Sequence, residues 1–263
     1  MQFLRFMLYL GLFALICAGC GKDSHISRTE GPDVSIEFGD GVEIVSPSGT
    51  TSRLFDQFTP TTFAGRPAIG LKELVGTDLV THPDLYGYRF IGTDGFYANM
   101  PGKGYGDNTW AQLNFGYLDL TEFKIIFQTE NDKYLRKGHN VKWLIQVQLL
   151  RSVDIRWPEG RKLSPVDEIA TSILSADYAD AGSEAIALTS LVSETVPDNI
   201  DPSGFIFRVS ARDGSDLPRL LTWEELGTAF YLPDSDLVVM PAALGSAYQL
   251  EQLQRVSLEG EAR

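Results

Sequence analysis

Cysteine is nearly absent: the 263-residue chain has two, Cys17 and Cys20, both before residue 21. The long stretch beyond them can form no disulfide and offers no thiolate as nucleophile or metal ligand. Histidine is almost as scarce, with only His25, His82 and His139. These stand far apart and outside any His-Glu-x-x-His pattern, which argues against a His-based metal site. Basic residues are in deficit, 22 Lys and Arg against 35 Asp and Glu, for a net charge of −13. That deficit disfavours nucleic acid and anionic lipid headgroups as partners. A Gly-x-x-x-x-Gly-Lys-[Ser/Thr] phosphate loop is also missing, since Gly102-Lys103-Gly104-Tyr105-Gly106 imitates only part of it. No Gly-x-Ser-x-Gly nucleophile elbow is present, and Ser203 and Ser246 sit in turn contexts. No apolar run reaches the roughly 18 residues that cross a bilayer as a helix.

What is present at the start is a leader. Residues 1–19 carry one early cation, Arg5, an apolar stretch from Phe6 to Ala18, and small residues before Cys20. Ile16-Cys17-Ala18-Gly19-Cys20 reads as a bacterial lipoprotein cleavage and lipidation site, with Cys17 standing where leucine is usual. Cleavage near Ala18 as an ordinary secretory signal is the alternative. Acyl chains such as palmitate on Cys20 would anchor the chain, at about 0.8 kcal/mol per buried methylene. Gly21 rather than aspartate follows, which points to the outer membrane, facing the periplasm. Residues 20–32 then serve as a tether. Hydrophobic content of 43% and charged content of 22% describe a folded globule beyond it.

That globule contains an internal repeat. Val34-Ser35-Ile36-Glu37-Phe38 matches Val153-Asp154-Ile155-Arg156-Trp157 at an offset of 119, and Ala68-Ile69-Gly70-Leu71 matches Ala185-Ile186-Ala187-Leu188 at 117. Tyr88-Arg89-Phe90 with Asp94-Gly95 matches Phe207-Arg208-Val209 with Asp213-Gly214 at 119, and Thr109-Trp110 matches Thr222-Trp223 at 113. Ile125-Ile126-Phe127 answers Val238-Val239-Met240, and Val147-Gln148-Leu149 answers Val256-Ser257-Leu258 at 109. The ordered matches predict an α+β protein made of two diverged units, residues 33–151 and 152–263. An alternating strand opens each. Apolar spacing predicts short helices over Thr51 to Phe58 and Ile69 to Val75, with Thr109 and Thr222 capping two more. Gly87 to Thr93 reads as a strand ended by the Asp94-Gly95 turn. Val141, Trp143, Ile145, Val147 and Leu149 form one face of a closing strand.

The falling offsets place insertions in the first unit, within Phe96 to Asn108 and between Phe127 and Lys142. The first insertion contains Tyr97, Lys103 and Tyr105; the second contains Lys133, Tyr134, Arg136, Lys137 and His139. Cations and aromatics concentrated in loops of an acidic chain mark a candidate ligand- or partner-binding surface. Asp94 and Asp213 read as turn residues and Trp110 and Trp223 as core. Asp177, Asp180 and Glu184 read as a solvated face beside a helix end.

Phe63-Ala64-Gly65-Arg66-Pro67-Ala68, then Leu71, Leu74-Val75 and the strand into Asp94-Gly95-Phe96, resembles the signature of the sulfite-oxidase-type molybdopterin-binding domain. Asn140-Val141-Lys142 before a hydrophobic strand is similar to that family's closing segment. The resemblance implies its fold, used twice. It also implies a molybdopterin cofactor held through a cysteine thiolate, but no cysteine follows residue 20. The expectation is therefore a lipid-anchored periplasmic binding or scaffold protein, without catalytic activity, metal or cofactor, whose partner is an envelope protein or small ligand. Two alternatives stand beside it: a molybdopterin-dependent oxidoreductase or cofactor carrier that binds without cysteine, and a carbohydrate-binding envelope protein using Trp110 and Trp223.

Overall fold

Val42 and Ile44 flank Glu43, and in the computed structural model this alternation builds the first strand, β1 (Gly41–Ser46), with both aliphatics fully buried. The structure describes residues 36–98, 106–158, 160–197, 199–244 and 248–261. The leader, Cys20 and the tether, and Val34, Ser35, Lys103, Tyr105 and Ser246 lie outside them. After β1 come β2 (Gly49–Leu54), β3 (Thr61–Phe63), β4 (Arg66–Gly70), helix α1 (Leu71–Val75), β5 (Tyr86–Gly92), β6 (Asn108–Thr109), β7 (Gly116–Asp119) and β8 (Lys124–Phe127). A strand of 14 residues, β9 (Leu144–Trp157), leads into β10 (Gly160–Pro165), β11 (Ser172–Ile173), β12 (Glu184–Ala187) and α2 (Leu188–Ser193). The chain closes with β13 (Phe205–Ala211), α3 (Trp223–Leu226), β14 (Phe230–Leu232), β15 (Leu237–Val239), β16 (Leu250–Glu251) and β17 (Leu253–Glu261). With 42% strand and 17% helix the protein is mixed but sheet-rich, so strand register is what positions its loops.

The hydrogen-bond registers recur. Gly41 pairs with Leu54, and Ser152 with Pro165, 111 residues on. Ile44 runs parallel to Val147 as Ile155 does to Val256. Ile69 faces Leu118 as Ile186 faces Tyr231, and Phe90 faces Val147 as Val209 faces Val256. Even the left-handed backbone positions recur, Phe123 with Asp236 and Trp143 with Gln252. β9 joins the two halves: its first part lies between β5 and β1, its second between β17 and β10. The large buried clusters divide at the same place, one drawn from Val42 to Leu149 and the other from Val153 to Leu258. Each fully buried Leu, Ile or Phe in them contributes about 1.5–3 kcal/mol.

Several local expectations are corrected. Among the described residues the first strand is Gly41–Ser46, and of the strand expected over Val34 to Phe38 the described part is not strand; Phe38 makes only an isolated bridge to Gly41, because Gly39, at φ 98°, turns the chain between them. The true offset there is 111, so the second half carries six extra residues between β11 and β12 that the misplaced match concealed. Thr51 to Leu54 is strand, since β1 offers it a complete ladder, and only Phe55–Gln57 turns, as 3-10 helix. Ile69 and Gly70 finish β4 before the α1 helix begins. Trp143 and Ile145 face solvent at 49% and 38% exposure, and Leu144 is buried in their place. The cause is the left-handed φ of 52° at Trp143 followed by a bulge opposite Ile91 and Gly92, which breaks the two-residue period. Glu184 starts β12 and so flanks a hairpin, not a helix end.

Candidate binding cleft between the two halves

The β9–β10 hairpin turns at Trp157 and Gly160, and its second strand carries Arg161 and Lys162 toward the long loops of the first half. Gly106 approaches closely: a Cβ there would stand 3.3 Å from the Lys162 Cα. The cleft so formed holds about 180 Å³ and is lined by Asp107, Tyr134, Arg136 and His139 from the first half and Trp157, Arg161, Lys162 and Leu163 from the second. Two of its walls are thus loops that the sequence marked.

Arg89 fixes the first wall. Nearly buried, it grips Asp107 in a two-point contact, Nε to Oδ1 and Nη2 to Oδ2, both at 3.0 Å. Its other edge donates to Glu168 in the second half, with Nη2 3.1 Å from Oε2. Burial alone would lower its pKa, but the hydrogen bonds it donates to Glu168 and the charge of Asp107 more than offset this and hold it above the ordinary arginine value. Tyr97 lies against this guanidinium, 4.8 Å from its carbon.

His139 fixes the second. It is 4% exposed, its Nδ1 accepts the Arg136 backbone N–H at 3.0 Å, and a backbone hydrogen bond ties it to Gly106. Burial pushes its pKa below the usual value, which keeps the ring neutral. The side chain therefore braces the loop. Tyr134 lies between two cations, with the Lys133 Nζ 4.7 Å and the Arg161 guanidinium carbon 5.6 Å from its ring centre. Arg136 is exposed and donates from Nη1 to the carbonyls of Lys133 and Leu135; it forms no ion pair among the described residues. Lys137 is exposed on the same loop.

Behind the hairpin sits Asp154, 6% exposed and shared by three arginines, each through Nε: Arg161 at 2.7 Å, Arg156 at 2.9 Å and Arg255 at 3.3 Å. A second hollow of about 290 Å³ adjoins it, where Asp84 and Asp132 balance Arg156 and Arg255. Arg156, Arg161 and Lys162 lie within seven residues of an acidic chain, a signal of this contribution that the repeat pattern and the loop compositions did not include. No family model, curated protein or solved structure matches the chain.

The remaining candidates have local duties. Asp94 and Asp213 accept backbone N–H groups two residues on, at 3.0 and 2.8 Å, within their turns. Thr109 exchanges hydrogen bonds with Gln112, and Thr222 with Glu225, the latter as the capping box of α3. Trp110 and Trp223 are half-buried against Tyr88 and Phe207, and Lys72 covers the Trp110 ring at 4.6 Å. The donor set does not fit a thiolate-bound molybdenum, since none of the described residues is a cysteine. A cleft of about 180 Å³ is also below the roughly 300 Å³ at which cofactor pockets begin.

Proposed function

We propose that this is a lipid-anchored periplasmic protein that binds a ligand or partner through the cleft between its two halves, without catalysis of its own. One observation carries the reading: in a chain of net charge −13, Arg136, Arg161 and Lys162 converge on a single cleft from opposite halves. Its acid and its imidazole already have structural tasks, Asp107 with Arg89 and His139 with backbone. That is the arrangement of a binding face, where a catalytic base needs a position within reach of a substrate proton. The recurring registers support a duplicated unit, and the resemblance to the molybdopterin-oxidoreductase domain suggests a reused scaffold. The Cys20 site supplies the anchor.

Pull-down from detergent-solubilised envelopes of the native host tests this. The wild-type chain is expected to retain a partner or small molecule that the double variant Arg136→Ala, Lys162→Met loses, at unchanged melting temperature. Equal recovery with both chains would refute the cleft as the binding face. Mass spectrometry of the mature N-terminus tests the anchor separately, and an unacylated Cys20 would remove it.

A further inference from the structure

We infer that the cleft is a site for a small tetrahedral oxyanion of the phosphate or sulfate type. The inference rests on the binding reading above and gives it a chemistry.

Charge is the first argument. One carboxylate, Asp154, is shared by three guanidiniums, of which Arg156 and Arg255 border the adjoining hollow with Asp84 and Asp132, and Arg161 borders the cleft. Each arginine uses only Nε for that contact. The terminal nitrogens of Arg161, which lines the cleft, have no hydrogen-bond acceptor among the described residues. Arg136 borders the same cleft from the other half and forms no ion pair among the described residues, and Lys162 borders it as well. The acid on the wall, Asp107, is held in the two-point contact with Arg89. A guanidinium presents paired N–H donors that match two oxygens of a phosphate or sulfate at once.

Size and surroundings are the second argument. A volume of about 180 Å³ corresponds to roughly six waters at about 30 Å³ each, room for a dianion with part of its hydration shell. The Trp157, Tyr134 and Leu163 side chains border it, and apolar walls strengthen Coulomb attraction relative to open water. The adjoining hollow makes a useful contrast: Asp84 and Asp132 there already match Arg156 and Arg255, so it offers an anion no comparable excess.

Isothermal titration calorimetry on the full-length chain, purified in detergent, tests the assignment with inorganic phosphate and sulfate against chloride at matched ionic strength. Saturable binding of phosphate or sulfate is expected below about 10 mM, weakened at least about tenfold by Arg136→Ala and by Lys162→Met. Arg208→Ala, in the second half and outside the cleft, is expected to bind as wild type does. Absence of saturable binding overturns the assignment, as does wild-type affinity in both cleft variants. Should Arg136→Ala fold poorly, Lys162→Met alone decides. Envelope pull-down separates this inference from the reading beneath it: a partner retained by a chain that binds no oxyanion overturns the oxyanion alone, whereas phosphate binding with an empty pull-down upholds the anion site and discards the partner.

Discussion

Arg89 and Arg208 hold the same position in the two halves, 119 residues apart in strands of matching register, yet they live in different surroundings. The first is 6% exposed and locked between Asp107 and Glu168; the second is 43% exposed and reaches Asp216 and Glu259 at the surface. The difference comes from the long first-half loop that delivers Asp107 and from the second half, whose Glu168 closes over it. One half thus builds a cleft from material that the other leaves in solvent. The recurring strand registers supply a common frame, and loop length with charge placement makes the halves unequal.

The largest expected consequence follows directly. Arg89→Met removes the two-point contact with Asp107 and the bonds to Glu168, and is expected to cost about 3–5 kcal/mol, the range for breaking a buried ion pair. Arg208→Met is expected to cost about 0–1 kcal/mol. Urea unfolding of both variants measures this, and equal losses would break the comparison. The next contrast lies between Asp154 and its counterpart Glu43, whose side chain accepts a hydrogen bond from Gln146 at 3.5 Å and forms no ion pair among the described residues. Asp154→Asn is expected to lose about 2–3 kcal/mol, because three charge-assisted hydrogen bonds weaken together, and Glu43→Gln about 0.5 kcal/mol or less. If the cleft takes an oxyanion, Asp154→Asn also tightens phosphate binding, since it raises the local positive charge.

Local patterns carried the frame and missed the cleft. Val147 and Leu149 were legible as core because both lie in regular, alternating strand. Trp143 and Ile145 fit the same alternation and are exposed, since nothing in the residue names announces a left-handed φ at a tryptophan. The first-half loops stood out through their composition. Their meeting with Arg161 did not, because it depends on the β9–β10 register and on β9 passing from one half into the other. The link from Asp154 to Arg255 spans 101 residues, a distance over which no spacing rule speaks.

Gly49 and Gly160 sharpen the comparison further, being equivalent hairpin positions kept as glycine for different reasons. Gly49 sits at φ 127° with open space around it, whereas a Cβ on Gly160 would lie 2.0 Å from the Trp157 indole. Alanine at either is expected to cost about 1–2 kcal/mol, through backbone strain in one case and overpacking in the other. Only Gly160→Ala is expected to shift tryptophan fluorescence, because the ring must leave the cleft wall. An identical spectrum in both variants would show that the indole does not rest on Gly160.

The smallest effect concerns pH. All three histidines precede residue 152, and buried His139 braces the first-half loop, so the two halves differ in their response to mild acid. Its folded pKa is lowered from 6.5 by burial, so the unfolded chain takes up the proton first as pH falls. The stability this neutral ring contributes is whole above about pH 6.5 and is lost as pH drops from there through the lowered folded value, at no more than about 1.4 kcal/mol per pH unit. Hydrogen exchange at pH 7.5 and 5.5 is expected to show loss of protection in residues 128–142, with residues 233–244 unchanged. His139→Gln removes the titrating group and should flatten the first response. Equal acid sensitivity in wild type and variant would show that the imidazole is not the source of the loop's response.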